Sequence, residues 1–141
     1  MKKVLTIIQM LIRTDWTVLL ILGLIFWGGL APNLIIWHMA LGIFLALLLW
    51  GLAFLGIRTR VPAGLVVLIV AWSLVLPALG LTQAQIFPSW SGHWIVKIVH
   101  LVVAVAALGQ AEMLGGRIKE NLEEEASKVH KRPTRKVRVS N

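Results

Sequence analysis

Three histidines and one lysine interrupt long apolar stretches of this sequence: His38 lies in one stretch, and His93, Lys97 and His100 lie in another. An imidazole in apolar surroundings costs free energy unless its nitrogens find partners. The partner can be a metal centre ligated from both sides, as a haem iron is by two axial histidines. It can also be a proton relay or quinone site, or a carbonyl or hydroxyl group of a neighbouring helix.

The second stretch carries its small and polar residues at steps of three and four, which places them on one helix face. These residues are His93, Lys97, His100, Ala104, Ala107 and Ala111. We expect this face to point into a helix bundle, because most of the other positions are Ile, Val and Leu. In the first stretch, Gly42 follows His38 by one turn and leaves room for a broad group beside the imidazole.

Depth along the helices decides which histidines can face each other. Measured back from the arginine that ends each stretch, His38 lies about 30 Å before Arg58 and His100 about 25 Å before Arg117. His93 lies about 36 Å before Arg117. We expect His100 to face His38, because His100 is inside the apolar region and His93 is close enough to the interface to be solvated.

Zinc is a weaker candidate than haem for this pair, because the outer half of the helices offers no Asp, Glu or Cys to complete a zinc ligand set. Glu112 belongs to the opposite half. Lys97 either extends its ammonium group to the surface or pairs with a haem propionate. The sequence has no cysteine, which excludes disulfides, thiolate nucleophiles and iron–sulfur clusters.

The composition places these residues in a membrane. Of 141 residues, 58% are hydrophobic and 14% are charged, and the mean hydropathy is +0.84. We therefore predict an all-α integral membrane four-helix bundle at 16–116, with spans at 16–31, 34–57, 63–81 and 92–115. Residues 1–15 are expected to form an N-terminal interfacial helix, and residues 117–141 a polar helix and a basic tail.

The positive charges indicate the orientation of the bundle. Lys and Arg lie at the start, between the second and third spans and in the tail, while the connections near 31–33 and 82–92 contain no charged residue. By the positive-inside rule both termini are cytoplasmic. The net charge of +8 is then a topology signal, with anionic lipid or an acidic partner as a further use of the tail. No motif for binding nucleic acid accompanies it.

The tryptophans fall into two groups. Five lie near predicted span ends, where an indole is stable at the membrane interface: Trp16, Trp27, Trp37, Trp90 and Trp94. Trp50 and Trp72 lie deeper, and helix packing accounts for them.

Two spans resemble those of the bacterial four-helix b-type cytochromes, which carry haem between histidines of their membrane helices. The second span, with Trp37-His38-Met39-Ala40-Leu41-Gly42-Ile43 and then Arg58-Thr-Arg-Val-Pro62, is similar to that family's second helix. The fourth span, with His93-Trp94 and then His100-Leu-Val-Val-Ala-Val-Ala-Ala107, is similar to its two-histidine fourth helix. The histidine of the family's first helix has no counterpart here. The spacing of His93 and His100 is shorter than in the family, so the resemblance leaves either His93 or His100 as the ligand opposite His38. The resemblance implies at most one haem b, near the outer face.

One function is favoured, and two rivals remain. The favoured function is electron transfer by a b-type cytochrome subunit of a larger complex, with one haem b held between His38 and His100. The subunit would exchange electrons with quinol or with a partner subunit. We expect no catalytic residue. The resemblance implies the bacterial inner membrane. The first rival is a cofactor-free accessory or assembly subunit. The second is a small transporter or proton conductor that uses His38, His100, Lys97 and Glu112, although no inverted repeat is visible.

Overall fold

Four long helices form the fold in a computed structural model, which describes residues 1–86 and 93–130, with side chains for 1–81, 94–128 and 130. They are α1 (Lys2–Trp27), α2 (Ile35–Arg58), α3 (Ala63–Ile86) and α4 (His93–His130), with a short 3₁₀ turn at Pro32–Leu34. Within the described residues, these four helices are long and apolar enough to cross a membrane. The prediction of an all-helical chain with four such helices is confirmed.

The α1–α2 and α2–α3 connections contain residues that stop helices. Between α1 and α2, Gly29 has a φ of 73° and Ala31 a φ of 49°, and Pro32 then opens the 3₁₀ turn. Between α2 and α3, Arg60 has a φ of 57° and is followed by Pro62, which fixes its own φ and has no amide hydrogen. The left-handed residues reverse the chain within a few positions, so that consecutive helices pack against each other.

Helix α1 is continuous through Asp15 and Trp16. The predicted boundary between an interfacial segment at 1–15 and a span at 16–31 therefore lies inside one helix. The first half of α1 packs beside the second half of α2, and its Leu5 and Ile12 are buried in the core. The helix has no reason to break at the polar residues, because neighbouring helices cover its apolar face on both sides of them. Arg13 and Asp15 therefore lie in the middle of a helix.

Helix α4 is also continuous, and it crosses Gly115-Gly116, where the fourth span was expected to end. Gly115 lies against the side chain of Gln9 on α1, and the neighbouring Leu114 and Ile118 are fully buried. Packing thus holds the helix through a pair of weak helix formers. The predicted polar helix after 117 is the last part of α4, and the predicted basic tail at 131–141 lies outside the described residues.

Helices α2 and α4 run parallel and in register. The side chain of Asn121 donates a hydrogen bond from Nδ2 to the carbonyl oxygen of Thr59 at 2.8 Å, a pairing of residues 62 positions apart. His38 and His100, six turns away, have the same separation in the chain and also lie side by side. Helix α1 runs antiparallel to both. The bundle therefore brings the starts of α2 and α4 to the same end.

Helices α2 and α4 approach closely at Gly56. A Cβ atom on Gly56 would lie 3.1 Å from Leu114 Cδ1 and 3.3 Å from Val66 Cγ2. We expect Gly56→Leu to lower the free energy of unfolding by about 1–3 kcal/mol, because the side chain has no space in a packed core. The matched control is Gly64→Leu, since a Cβ at Gly64 meets nothing within 4 Å. Thermal unfolding in detergent measures both, and equal losses would contradict this explanation.

Candidate cofactor site

His38 and His100 face each other across the bundle. His38 lies in the first turn of α2, and His100 lies two turns from the start of α4. Their ring centroids are 6.4 Å apart, with the ring planes tilted by 48°. The parallel register of the two helices produces this proximity. The pair is the one that the depth argument favours from the sequence.

The separation of the rings matches ligation of one metal atom between them. A metal–imidazole bond is about 2 Å long, so two opposed imidazoles on one atom have centroids about 6 Å apart. Their nitrogens are too far apart for a direct hydrogen bond in that arrangement. The distance therefore suits a shared metal centre better than a histidine–histidine hydrogen bond.

A cavity of about 340 Å³ lies between the four helices beside the two histidines. This volume lies within the range of ligand and cofactor pockets, about 300–1,000 Å³. Its walls come from α1, α2, α3 and α4, and most are aliphatic or aromatic. Such a cavity accepts a large apolar group and offers the two imidazoles as its principal polar atoms.

Three glycines in different helices make room for this cavity. A Cβ on Gly23 of α1 would lie 3.9 Å from Cε1 of His38, and a Cβ on Gly80 of α3 would lie 3.7 Å from Cε1 of His100. A Cβ on Gly42 would meet nothing within 4 Å. Each imidazole therefore lies over a residue without a side chain. Gly42 was expected from its spacing to His38, but Gly23 and Gly80 were missed.

One ring nitrogen of each histidine lacks a protein partner within the described part of the chain. Nδ1 of His38 and Nδ1 of His100 are both buried, and neither has a hydrogen-bond partner among the described residues. A buried imidazole without a partner is destabilising, and a metal ligand ordinarily gives its second nitrogen to an acceptor. These two unpartnered nitrogens, the ring separation and the glycines are compatible with a group held between the two histidines.

Aromatic side chains close the wall on the α1 side. The ring of Phe26 meets His38 edge to face, with centroids 5.5 Å apart. Trp16 lines the cavity and donates a hydrogen bond from Nε1 to the carbonyl oxygen of Ala104 on α4 at 2.9 Å. The expectation that Trp16 lies in an interfacial belt is therefore wrong. Because α1 starts at Lys2, Trp16 is in its middle and faces the bundle.

Of the remaining residues predicted from the sequence, Lys97 lies at the cavity, and the side chains of His93 and Trp90 are not among those that the structure describes. Lys97 is half-buried and is the one charged side chain among the described residues that line the cavity. His93 is the first residue of α4, about 10 Å along the helix from His100, and its side chain lies outside the described part. Trp90 is likewise outside it. Within the described residues, no three His, Asp or Glu side chains gather as a metal-binding group.

No family model matches the chain, and comparisons with curated proteins and with solved structures gave no significant match. The resemblance to b-type cytochromes therefore stays a prediction from two spans of the sequence.

Proposed function

We propose that this chain is a b-type cytochrome subunit that holds one haem b between His38 and His100 and transfers electrons within a larger membrane complex. The observation that carries the proposal is the facing pair of imidazoles, 6.4 Å apart, beside a cavity of about 340 Å³. His38 and His100 would hold the haem, and the chemistry that it would supply there is one-electron transfer.

The residues around the pair have separate tasks in this proposal. Gly23, Gly42 and Gly80 leave space beside the two imidazoles, and the aromatic wall with Trp16 keeps water from them. The ammonium group of Lys97 offers a partner for a carboxylate at the cavity, which a haem propionate would provide. Electrons come from or pass to a quinol or a partner subunit, because the described chain has little mass outside its four apolar helices.

The proposed setting is the bacterial inner membrane with both termini in the cytoplasm. The charged connection at Arg58 and Arg60 and the polar end of α4 lie at one end of the bundle, which supports a single cytoplasmic side. The histidine pair is at the other end, so the haem would lie near the outer face. Membrane lipid surrounds the bundle in this arrangement.

A difference spectrum tests the proposal. The full chain, expressed in membranes with ample haem and purified in detergent, is expected to show a reduced-minus-oxidised spectrum of b type with one haem per chain. The haem content is measured after extraction against the protein concentration. A colourless chain from haem-replete membranes would contradict the proposal.

A cofactor-free accessory subunit is the second candidate, and the outer surface of α1 and α4 favours it. Arg13 and Glu112 form an ion pair there, with 59% and 37% of their side chains exposed, between the exposed Met10 and Met113. Charged side chains of membrane helices ordinarily face protein or water, so this surface suits contact with a larger complex. This candidate predicts a colourless chain that copurifies with other membrane subunits.

A further inference from the structure

Asp15 is a buried acid that the proposed haem site does not use. It is 5% exposed, and neither carboxylate oxygen has a hydrogen-bond partner among the described residues. It lies near the middle of α1, on the face that carries the buried Ile12. An ionised carboxylate without a partner in such surroundings is very costly, and polar groups inside membrane helices are commonly functional.

The nearest cation in sequence is already engaged. Arg13 donates two hydrogen bonds to Glu112, from Nε at 2.6 Å and from a terminal nitrogen at 2.7 Å. Its side chain points to the outer surface of the bundle, whereas Asp15 points inward. The guanidinium group therefore does not neutralise Asp15.

No other described side chain places a positive charge beside Asp15. Helix α2 has no titratable residue between His38 and Arg58, and the described part of α3 has none. On α4 the titratable side chains toward this level are Lys97 and His100, which line the cavity, and Glu112, which pairs with Arg13. A proton on the carboxyl group is the simplest way to remove the buried charge.

A second unpartnered acceptor lies at the same level. Helix α4 runs antiparallel to α1, with Glu112 opposite Arg13 and Ala104 opposite Trp16, so Asp15 lies at a level between those two α4 residues. Gln110 is in that interval, and its buried Oε1 also has no partner. Two buried oxygen-bearing side chains at this level therefore lack a hydrogen-bond donor among the described residues.

We propose that Asp15 is a proton-binding site in the membrane interior. At neutral pH a carboxylate oxygen takes a proton from a hydronium ion, which leaves as water, and the new O–H group donates its hydrogen toward Oε1 of Gln110 or a carbonyl oxygen of α4. The next residue of α1, Trp16, lines the cavity, whereas Asp15 does not.

Infrared spectroscopy of the full chain in liposomes tests this site without any haem. The carbonyl stretch of a protonated carboxylic acid is separate from that of a carboxylate, and the chain has only six Asp and Glu residues. At pH 7 the parent protein is expected to show a protonated-acid band that shifts in D₂O. The band should disappear in Asp15→Asn, move in Asp15→Glu and remain in the exposed control Glu125→Gln.

Each outcome decides the proposal. Absence of a protonated-acid band in the parent at pH 7, or its persistence unchanged in Asp15→Asn, would overturn it. If Asp15→Asn fails to fold, an unmoved band in Asp15→Glu would also overturn it, and a moved band supports it. Because the measurement uses the chain with or without pigment, failure of the haem proposal leaves this result unaffected.

Discussion

Replacing either His38 or His100 with alanine is expected to abolish the b-type spectrum. Each substitution leaves the metal with a single imidazole from the pair whose rings are 6.4 Å apart. Removing even a residue that only supports a metal ligand costs 10–100-fold in affinity, so loss of the ligand itself should lower haem affinity by more than about 100-fold. Haem content per purified chain, with titration of added haem, measures the effect.

Two other histidines serve as controls for that result. His130 is exposed at the far end of α4, and His130→Ala should keep one haem per chain. His93→Ala should also keep it, because His93 begins α4 two turns from His100. Loss of pigment in His93→Ala with retention in His100→Ala would move the ligand and contradict the assignment. Retention in His38→Ala would contradict the pair altogether.

Reversing the charge of Arg13 or Glu112 alone is expected to destabilise the fold strongly. The two side chains make two short hydrogen bonds on an outer surface surrounded by apolar residues. Arg13→Glu sets two acids against each other there, and Glu112→Arg sets two guanidinium groups, in surroundings where single charges are already costly. Each should lower the unfolding midpoint by about 10 °C or more, and the double reversal should recover most of the loss.

The Arg117–Glu120 pair is the matched control for the charge reversals. It joins residues one turn apart on α4, at 3.2 Å, with both side chains largely exposed. Its reversal should change the midpoint by about 1 °C, as exposed pairs in water contribute little. If the double reversal at positions 13 and 112 is no more stable than the single ones, the ion pair is not what holds α1 to α4. Thermal unfolding of the reconstituted chain provides the comparison.

The histidine pair could be predicted from the sequence because it depends only on residue counts along two helices. Depth follows from counting residues along two parallel helices, and the spacing of His100 and Ala104 marks an inward face. Both quantities depend on the helix period and on the arginines that end the apolar stretches. The four apolar helices follow from hydropathy for the same reason.

The features that the sequence did not predict depend on tertiary contacts. Gly23 and Gly80 become meaningful only when α1 and α3 are known to pass beside the imidazoles. The charges near the start of the chain are typical of an interfacial helix, yet α2 and α4 cover that part of α1, and Asp15 becomes buried. Trp16 was misplaced with it, since its position relative to a span end depended on where the first span begins.

Because α2 and α4 share one register, the distance between the two histidines depends on the number of residues in each helix. The Thr59–Asn121 hydrogen bond fixes the alignment, and the same number of residues in each helix leads from it to His38 and His100. One residue inserted into either helix between these points would turn its histidine by about 100° and raise it by about 1.5 Å. Insertions or deletions between the two ends therefore preserve the pair only when both helices change by the same number of residues and that number is close to a whole number of turns. The α1–α2 connection precedes His38, so a change in its length leaves the number of residues between His38 and Thr59 unchanged.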